Sequence, residues 1–430
     1  MKVYLDSVGC RLNQSELERL ARQFKRAGYT IAASPKESDL IVINTCTVTS
    51  AAAADSRAKA RRAHLQNPHA KIVLTGCWSS MEPAAAASLP GVTRVVPNSA
   101  KENLVNEMTA GISPASPAEP LRRIALPGNR RRTRAFIKVQ DGCDNHCTYC
   151  ITTLARGAAR SERPETILED VRLAIDGGVK EIVLTGVQLS AYGEDISSYV
   201  NLKTLVEQIL DKTDIARLRL SSLEPWNLPQ DFFSLWENPR LCRQLHMPLQ
   251  SGSQRTLRRM GRPICPNEYA ALIRKARHAI PDLGVTTDII VGFPDERETD
   301  FQESLDFIKA MAFSDVHVFA YSLRPETPAA CLPDRVPAQI ARERAQQVRA
   351  IAAESSQAFL SQFIGCSLPV LWIRSRRVNG QQWGISGLTD NYIRVHTCSS
   401  TDLWNQLTPV RLVSLAEGGG MQGEAVTNPA

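Results

Sequence analysis

Cys143, Cys147 and Cys150 stand in the run Asp141-Gly142-Cys143-Asp144-Asn145-His146-Cys147-Thr148-Tyr149-Cys150, a C-x3-C-x2-C triplet directly after the apolar stretch Ala135 to Val139. That places three thiols on one short loop after a predicted strand. Thiolates are soft ligands that suit an iron-sulfur cluster or zinc, and three of them on a four-iron cubane leave one iron open for another ligand. A structural zinc knuckle is the competing reading and needs a fourth Cys or His close by. His146 is the nearest, but it lies inside the triplet, where chain geometry disfavours it.

The compartment follows from the rest of the composition. At 430 residues with 43% hydrophobic content the chain exceeds one ordinary core and suggests two or three domains. Neither a leader-like apolar start nor a stretch approaching 18 apolar residues is present in the sequence given, so the expectation is a cytoplasmic protein with no membrane partner. Eleven cysteines then point to metal or redox work rather than a disulfide framework. Cys242, Cys265, Cys331, Cys366 and Cys398 stand alone and are expected to be small buried hydrophobes. The net charge of +7 is modest over this length, but its placement is not even. Arg57, Lys59, Arg61 and Arg62 share a predicted helix, and Arg130, Arg131, Arg132 and Arg134 lead into the cysteine loop. Such runs are commonly solvated faces; beside a reacting centre they would orient a nucleic acid through its phosphates.

Residues 1 to about 112 alternate short apolar runs with helical patterns, the signature of a parallel α/β layer. Strands are predicted at Lys2 to Asp6, Asp39 to Asn44, Lys71 to Thr75 and Thr93 to Val96, with a helix capped near Asn13 to Ser15 that buries Leu17, Leu20 and Phe24. A Pro- and Ser-rich stretch over 113–130 reads as a linker. From 131 to 363, strand-like runs at Ala135 to Val139, Glu181 to Thr185, Ala216 to Leu220, Gly284 to Val291 and Asp315 to Phe319 alternate with helices. That pattern predicts a partial β/α barrel with its chemistry on the loops after the strands. A long helix over Pro337 to Phe363 precedes a strand-rich piece, 364–430, expected to be a small β-barrel with a disordered tail from Ala416.

A second set of thiols is spread through the first segment. Cys10, Cys46 and Cys77 each fall just past a predicted strand, in Val8-Gly9-Cys10, Asn44-Thr45-Cys46 and Thr75-Gly76-Cys77. Loops at the carboxyl ends of parallel strands converge on one crevice, so these thiols can meet in space as another incomplete cubane site. Chance placement of buried structural cysteines is the alternative.

The triplet, with an aromatic residue before its last Cys, resembles the radical S-adenosylmethionine superfamily. Over nearly its whole length the chain resembles the radical methylthiotransferases, and within them the MtaB-type branch acting on transfer RNA. The matching segments are Gly9-Cys10-Arg11-Leu12-Asn13-Gln14-Ser15-Glu16, Val42-Ile43-Asn44-Thr45-Cys46-Thr47-Val48-Thr49, the triplet itself, Thr185-Gly186-Val187, Ser221-Ser222-Leu223-Glu224-Pro225, His246-Met247-Pro248-Leu249-Gln250-Ser251-Gly252-Ser253 and Thr287-Asp288-Ile289-Ile290-Val291-Gly292-Phe293-Pro294. One departure is Ile151-Thr152-Thr153 after the triplet, where the family commonly has a Pro; it touches loop stiffness rather than ligation.

The resemblance implies two 4Fe-4S clusters, one on Cys143, Cys147 and Cys150 and an auxiliary one on Cys10, Cys46 and Cys77. It implies two S-adenosylmethionine molecules per turnover: one cleaved reductively to a 5'-deoxyadenosyl radical, the other a methyl donor to sulfur at the auxiliary cluster. The product would be a methylthio group at C2 of N6-threonylcarbamoyladenosine 37 in the anticodon stem-loop of transfer RNA, with electrons from a flavodoxin or ferredoxin-like donor. The last segment would be the family's RNA-binding TRAM barrel, although Arg374, Arg376, Arg377 and Arg394 make it only mildly basic. Cofactor radical chemistry fits the task, since an aromatic C–H bond is beyond side-chain acid/base catalysis.

Further site candidates sit on the strand ends. Thr185 and Gly186 are placed to touch the methionine part of the cofactor, or form an ordinary βα turn. Asp288 and Gly292 are candidates for its adenosine part. Glu224 and His246 are substrate contacts or satisfied core polar groups, and Arg156 and Arg160, which follow the cluster loop, are candidates for holding an anion. Three alternatives remain at this level: the branch acting on isopentenyladenosine, a ribosomal-protein methylthiotransferase, and a zinc-stabilised RNA-binding protein with no catalysis.

Overall fold

A computed structural model of the chain describes residues 1–108, 133–378 and 382–425. The expected linker over 113–130, with Arg130, Arg131 and Arg132, lies outside the described residues.

Strands β1 (Lys2–Ser7), β2 (Thr30–Ile31), β3 (Leu40–Thr45), β4 (Lys71–Gly76) and β5 (Val92–Val96) form one parallel sheet in the order β2-β1-β3-β4-β5. The central β3 is buried at every residue, as its unbroken Leu-Ile-Val-Ile start requires of a strand covered on both faces. Leu17, Leu20 and Phe24 of the helix Arg11–Arg26 cover one face, and Ala53, Ala60 and Trp78 the other. That helix begins directly after Cys10, ahead of the expected Asn13 to Ser15 cap. Asn13 serves another purpose: its amide donates to Val8 O at 2.7 Å and Thr45 O at 3.1 Å, tying together two of the strand-end loops.

The second unit carries β6 (Arg134–Lys138), β9 (Glu181–Thr185) and β10 (Arg217–Leu220) in one parallel sheet, and β11 (Gln244–His246), β12 (Gly284–Val291) and β13 (Asp315–Ala320) in another. Parallel bridges Leu218–Leu241 and Ser222–His246 join the two, giving a six-stranded partial barrel. Between β6 and β9 a short hairpin, β7 (Gln140–Asp141) with β8 (Arg160–Ser161), brackets the cysteine loop. Side chains alternate along a strand. Ile182, Leu184, Leu218, Leu245, Val285, Ile289 and Val316 face the surrounding helices. Glu181, Arg219, His246, Asp288 and His317 therefore face the lumen. The three-residue β11 was not expected, being too short to carry a periodic signal.

The helix Ala338–Ser361 leads into β14 (Ser367–Val378), β15 (Gln382–Leu388), β16 (Arg394–Ser399), β17 (Leu407–Leu415) and β18 (Met421–Ala425), a closed barrel in the order β14-β15-β16-β18-β17. The disordered tail expected from Ala416 is corrected here. Gly418, Gly419 and Gly420 all take positive φ and turn the chain back, so that β18 pairs with β17 and β16 and buries Met421. Three glycines in a row look like low complexity but serve a tight reversal that only they tolerate. The expectation for the lone cysteines also needs correction: Cys242 is buried, whereas Cys265 is partly exposed and Cys331, Cys366 and Cys398 are exposed. Cys265 stands at a helix N-terminus, where its sulfur accepts from Glu268 N.

The units are locked together by charge. Arg19 pairs with Glu162 at 2.8 Å, and Ser15 Oγ accepts from Lys138 N at 2.9 Å, seating the first unit on β6 and the loop after the cysteines. At the opposite end, Arg219 donates to Asp390 O at 2.8 Å and Arg243 holds the Asp390 carboxylate at 2.6 Å, so the loop after β15 closes the bottom of the partial barrel. Among the described residues no helix is long and apolar enough to cross a membrane.

Candidate active site

The first-unit cysteines follow β1, β3 and β4, three neighbouring parallel strands, and their sulfurs are close enough to interact electrostatically. Two glycines permit this. Gly9 has φ +96°, and a Cβ there would lie 2.6 Å from Cys46 Sγ; Gly76 has φ +99°, and a Cβ would meet Thr45 O at 2.3 Å. No other residue fits these turns without moving a cysteine loop. Burial pushes the Cys46 thiol up to about 11. Cys10 opens onto the chamber but is crowded by the protein around it, which raises its thiol too, against the nearby Arg156 charge.

The second triplet is held by donors. Asn145 N and Thr152 N donate to Cys143 Sγ and Cys150 Sγ, both at 3.4 Å, and Arg262 Nη1 lies 3.9 Å from Cys147 Sγ. N–H groups aimed at sulfur favour thiolates and orient them as ligands. Without metal, burial holds the Cys143 thiol up at about 11, so loading a metal here releases protons. The two sites adjoin: Asn98 Nδ2 lies 3.7 Å from Cys77 Sγ and donates to Ala155 O at 2.7 Å, just beyond Cys150.

Tetrahedral zinc, with Zn–S about 2.3 Å, keeps its sulfurs within about 3.8 Å of each other. Among the described residues the one group of three potential ligands lying within 4.8 Å of one another is His246, Asp288 and His317, not a cysteine triplet. Each set supplies three thiols, the number that a cubane with one vacant iron needs.

The other predicted residues are distributed as follows. Thr185 and Gly186 lie beside the triplet loop, where Gln140 Oε1 accepts from Val187 N and Gln188 N, and Gln188 Oε1 meets Cys143 Sγ at 3.2 Å. Thr185 turns its hydroxyl back to Val183 O. Asp288 faces the lumen between His246 (3.3 Å) and His317 (3.0 Å), and hydrogen bonds from both hold its carboxyl far below the usual range despite burial. Gly292 lies apart from these, packed against Ala341 and donating to Glu296 at 2.7 Å. Arg156 is buried, and its guanidinium meets Glu16 at 2.9 Å and Asp141 at 2.8 Å, so the anions it holds are carboxylates of the chain itself. Arg160 is exposed at the rim. Glu224 pairs with Arg262 at 2.9 Å. Sequence reading missed Arg262, Gln140, Asn98 and His317, none of which stands beside a cysteine or in a run of its own kind.

A parallel partial barrel with a three-cysteine loop after its first strand defines a radical S-adenosylmethionine domain. The description of the Radical SAM superfamily matches residues 137–308, and that of uncharacterized protein family UPF0004 matches residues 2–97. The threonylcarbamoyladenosine tRNA methylthiotransferase MtaB of Bacillus subtilis is 34% identical over 96% of this chain and 93% of its own length, and that of Thermotoga maritima 34% over 97% and 95%. The tRNA-2-methylthio-N(6)-dimethylallyladenosine synthase of Geobacillus thermodenitrificans is 31% identical over 96% of this chain and 81% of its own. Among solved structures, the radical S-adenosylmethionine methyltransferase TsrM from Kitasatospora setae shares the fold, with a TM-score of 0.57 at 16% identity over 76% of this chain and 77% of that one. The chain belongs to the radical S-adenosylmethionine tRNA methylthiotransferases. It is a transferase whose cofactors are 4Fe-4S clusters, two in number, and S-adenosylmethionine.

Proposed function

We propose that this protein methylthiolates C2 of N6-threonylcarbamoyladenosine 37 in the anticodon stem-loop of transfer RNA, in the cytoplasm, with electrons from a flavodoxin or ferredoxin-like donor. The adjacency of the two cysteine loops, joined through Asn98, is the observation that carries it: clusters held on the two sets would then be placed to act on one bound base. The names of the Bacillus and Thermotoga relatives support the threonylcarbamoyl branch.

When bound, the clusters and S-adenosylmethionine supply one-electron cleavage of a sulfonium, a sulfur atom and a methyl group. The chain's own residues do the rest. Cys143, Cys147 and Cys150 hold one cluster and Cys10, Cys46 and Cys77 the other. Gln140 shapes the turn at Thr185 and Gly186 that would hold the methionine part of the cofactor, and Asp288, within the lumen, would hold its adenosine part. Arg156, buried with Glu16 and Asp141, keeps the two cysteine loops in register. The division of labour follows the chain: 1–112 for the auxiliary cluster, 131–363 for the radical chemistry, 364–430 for gripping RNA, with 113–130 as linker.

Mass spectrometry of transfer-RNA nucleosides from cells with and without the protein tests the reading. The 2-methylthio derivative of threonylcarbamoyladenosine should disappear with the protein while that of isopentenyladenosine stays; the reverse pattern would reassign the branch.

A further inference from the structure

Three arginines converge on Tyr392, which the C-terminal barrel inserts into the bottom of the lumen. The guanidinium carbons of Arg219, Arg134 and Arg11 lie 4.8, 5.9 and 5.9 Å from its ring centre. Arg219 and Arg134 meet the buried Glu181 at 3.0 and 3.6 Å. Arg11 differs: its Nη2 donates to Tyr392 Oη at 3.0 Å, and among the described residues no carboxylate forms an ion pair with it. It is the first residue of the helix that follows Cys10, and its side chain reaches from there to Tyr392. Across the lumen from β6, His317 points inward, half exposed, with Nδ1 bonded to Asp288 at 3.0 Å, and it is near enough to Arg11 to feel its charge.

An unpaired guanidinium in this position is unfavourable. Arg134 and Arg219 crowd the same ring with two further positive charges, and Tyr392 Oη is the side-chain partner that accepts from Arg11. Partly buried charges are ordinarily paired, and an anion entering the chamber would remove the penalty. The planar fork matches a carboxylate, and Tyr392 occupies only one of its donors. If the preceding reading holds, the substrate brings such a group: the threonylcarbamoyl substituent on N6 ends in a free carboxylate, and the base that bears it must lie against the auxiliary site. An isopentenyl group would leave Arg11 unpaired.

We propose that Arg11, positioned by Tyr392 and flanked by His317, binds the carboxylate of the modified nucleoside and so selects anionic N6 substituents over apolar ones. The inference rests on the threonylcarbamoyl reading.

The test is equilibrium binding of anaerobically reconstituted full-length protein to anticodon stem-loops carrying threonylcarbamoyladenosine, its methyl ester or isopentenyladenosine, with S-adenosylmethionine affinity and iron content measured alongside. The wild type should bind the acid at least about tenfold more tightly than the ester, the worth of one charge-assisted pair. Arg11→Gln should reduce the acid to the ester's level, leaving the ester and S-adenosylmethionine unchanged. Tyr392→Phe, which keeps the charge and is remote in sequence from the six ligand cysteines, should lose part of the preference and serves if Arg11→Gln loses iron. Equal wild-type binding of acid and ester overturns the assignment. So does an Arg11→Gln protein weakened equally for all three RNAs, which marks a phosphate contact, or weakened for S-adenosylmethionine, which marks a cofactor contact. Turnover of the isopentenyl stem-loop with none of the threonylcarbamoyl one overturns the underlying reading as well. Turnover of the latter without an acid–ester difference removes Arg11 alone.

Discussion

Arg156 shows how one side chain can couple two catalytic loops. Its guanidinium is 2% exposed and meets Glu16 from the first unit and Asp141 from the second, and Asn13 Oδ1 accepts from it at 2.6 Å. These carboxylates hold it charged in spite of burial, and its charge in turn holds Glu16 well below the usual carboxylate range. Removing one partner from a buried pair leaves the other uncompensated, at a cost of about 3–5 kcal/mol. Arg156→Met should lower the unfolding free energy by that order in anaerobic denaturant titration, while Arg160→Met at the exposed rim should stay within about 0.5 kcal/mol of wild type. A pH effect belongs to Asp288 and His317. The hydrogen bond to Asp288 raises the His317 pKa above its ordinary 6.5. The pair's stabilisation is then complete below about 6.5 and is lost as the pH climbs through the raised value in the folded protein. The stability difference between wild type and Asp288→Asn should accordingly shrink from pH 6 toward pH 9; a flat difference would mean that the contact is not ionic.

Single elements carry consequences of their own. β18 is the strand that closes the C-terminal barrel, pairing with β17 on one side and β16 on the other. Ending the chain before Ala416 would expose two strand edges and remove Met421 from a core shared with Trp372, Val395 and Val410. Exposed edges recruit other chains. The truncated protein should be cleaved faster in its C-terminal barrel under limited proteolysis and should associate at micromolar concentration, whereas removal of 426–430 alone should do neither. The sequence hid this strand because its glycine run reads as low complexity, and the pairing that makes it a strand lies with residues far from the turn.

On the scale of the whole molecule, the proposed reading divides one reaction between two units. Reconstituted protein should hold about eight irons, two cubanes of thiolate-ligated iron, and replacing Cys143, Cys147 and Cys150 together by Ala should leave about four. An unchanged iron count in that variant would remove the assignment. The Cys10/Cys46/Cys77 triple Ala variant should still form 5'-deoxyadenosine from S-adenosylmethionine under reduction but give no methylthio product; normal product would make those cysteines structural. The barrel at the bottom of the lumen extends the coupling to the third unit, because Asp390 and Tyr392 meet Arg243, Arg219 and Arg11. The barrel is thereby fixed relative to the first two units, as the proposed RNA-binding role would require.

What the sequence determined by itself was whatever depends on neighbours in the chain. The C-x3-C-x2-C spacing, the apolar runs of β1, β3 and β4 with a cysteine after each, and the partial barrel's strand–helix alternation are all local patterns, and local patterns survive in one dimension. Convergence of Cys10, Cys46 and Cys77 also followed, because parallel strands can only present their ends on one side. Tertiary structure decided the partners of charges. Nothing near Arg156 in the chain says that it meets Glu16, nor that Arg262 reaches Cys147, Asn98 reaches Cys77 and Arg11 reaches Tyr392. A long side chain takes its partner from whatever the fold brings within a few ångströms, and two of these four contacts join different units of the molecule.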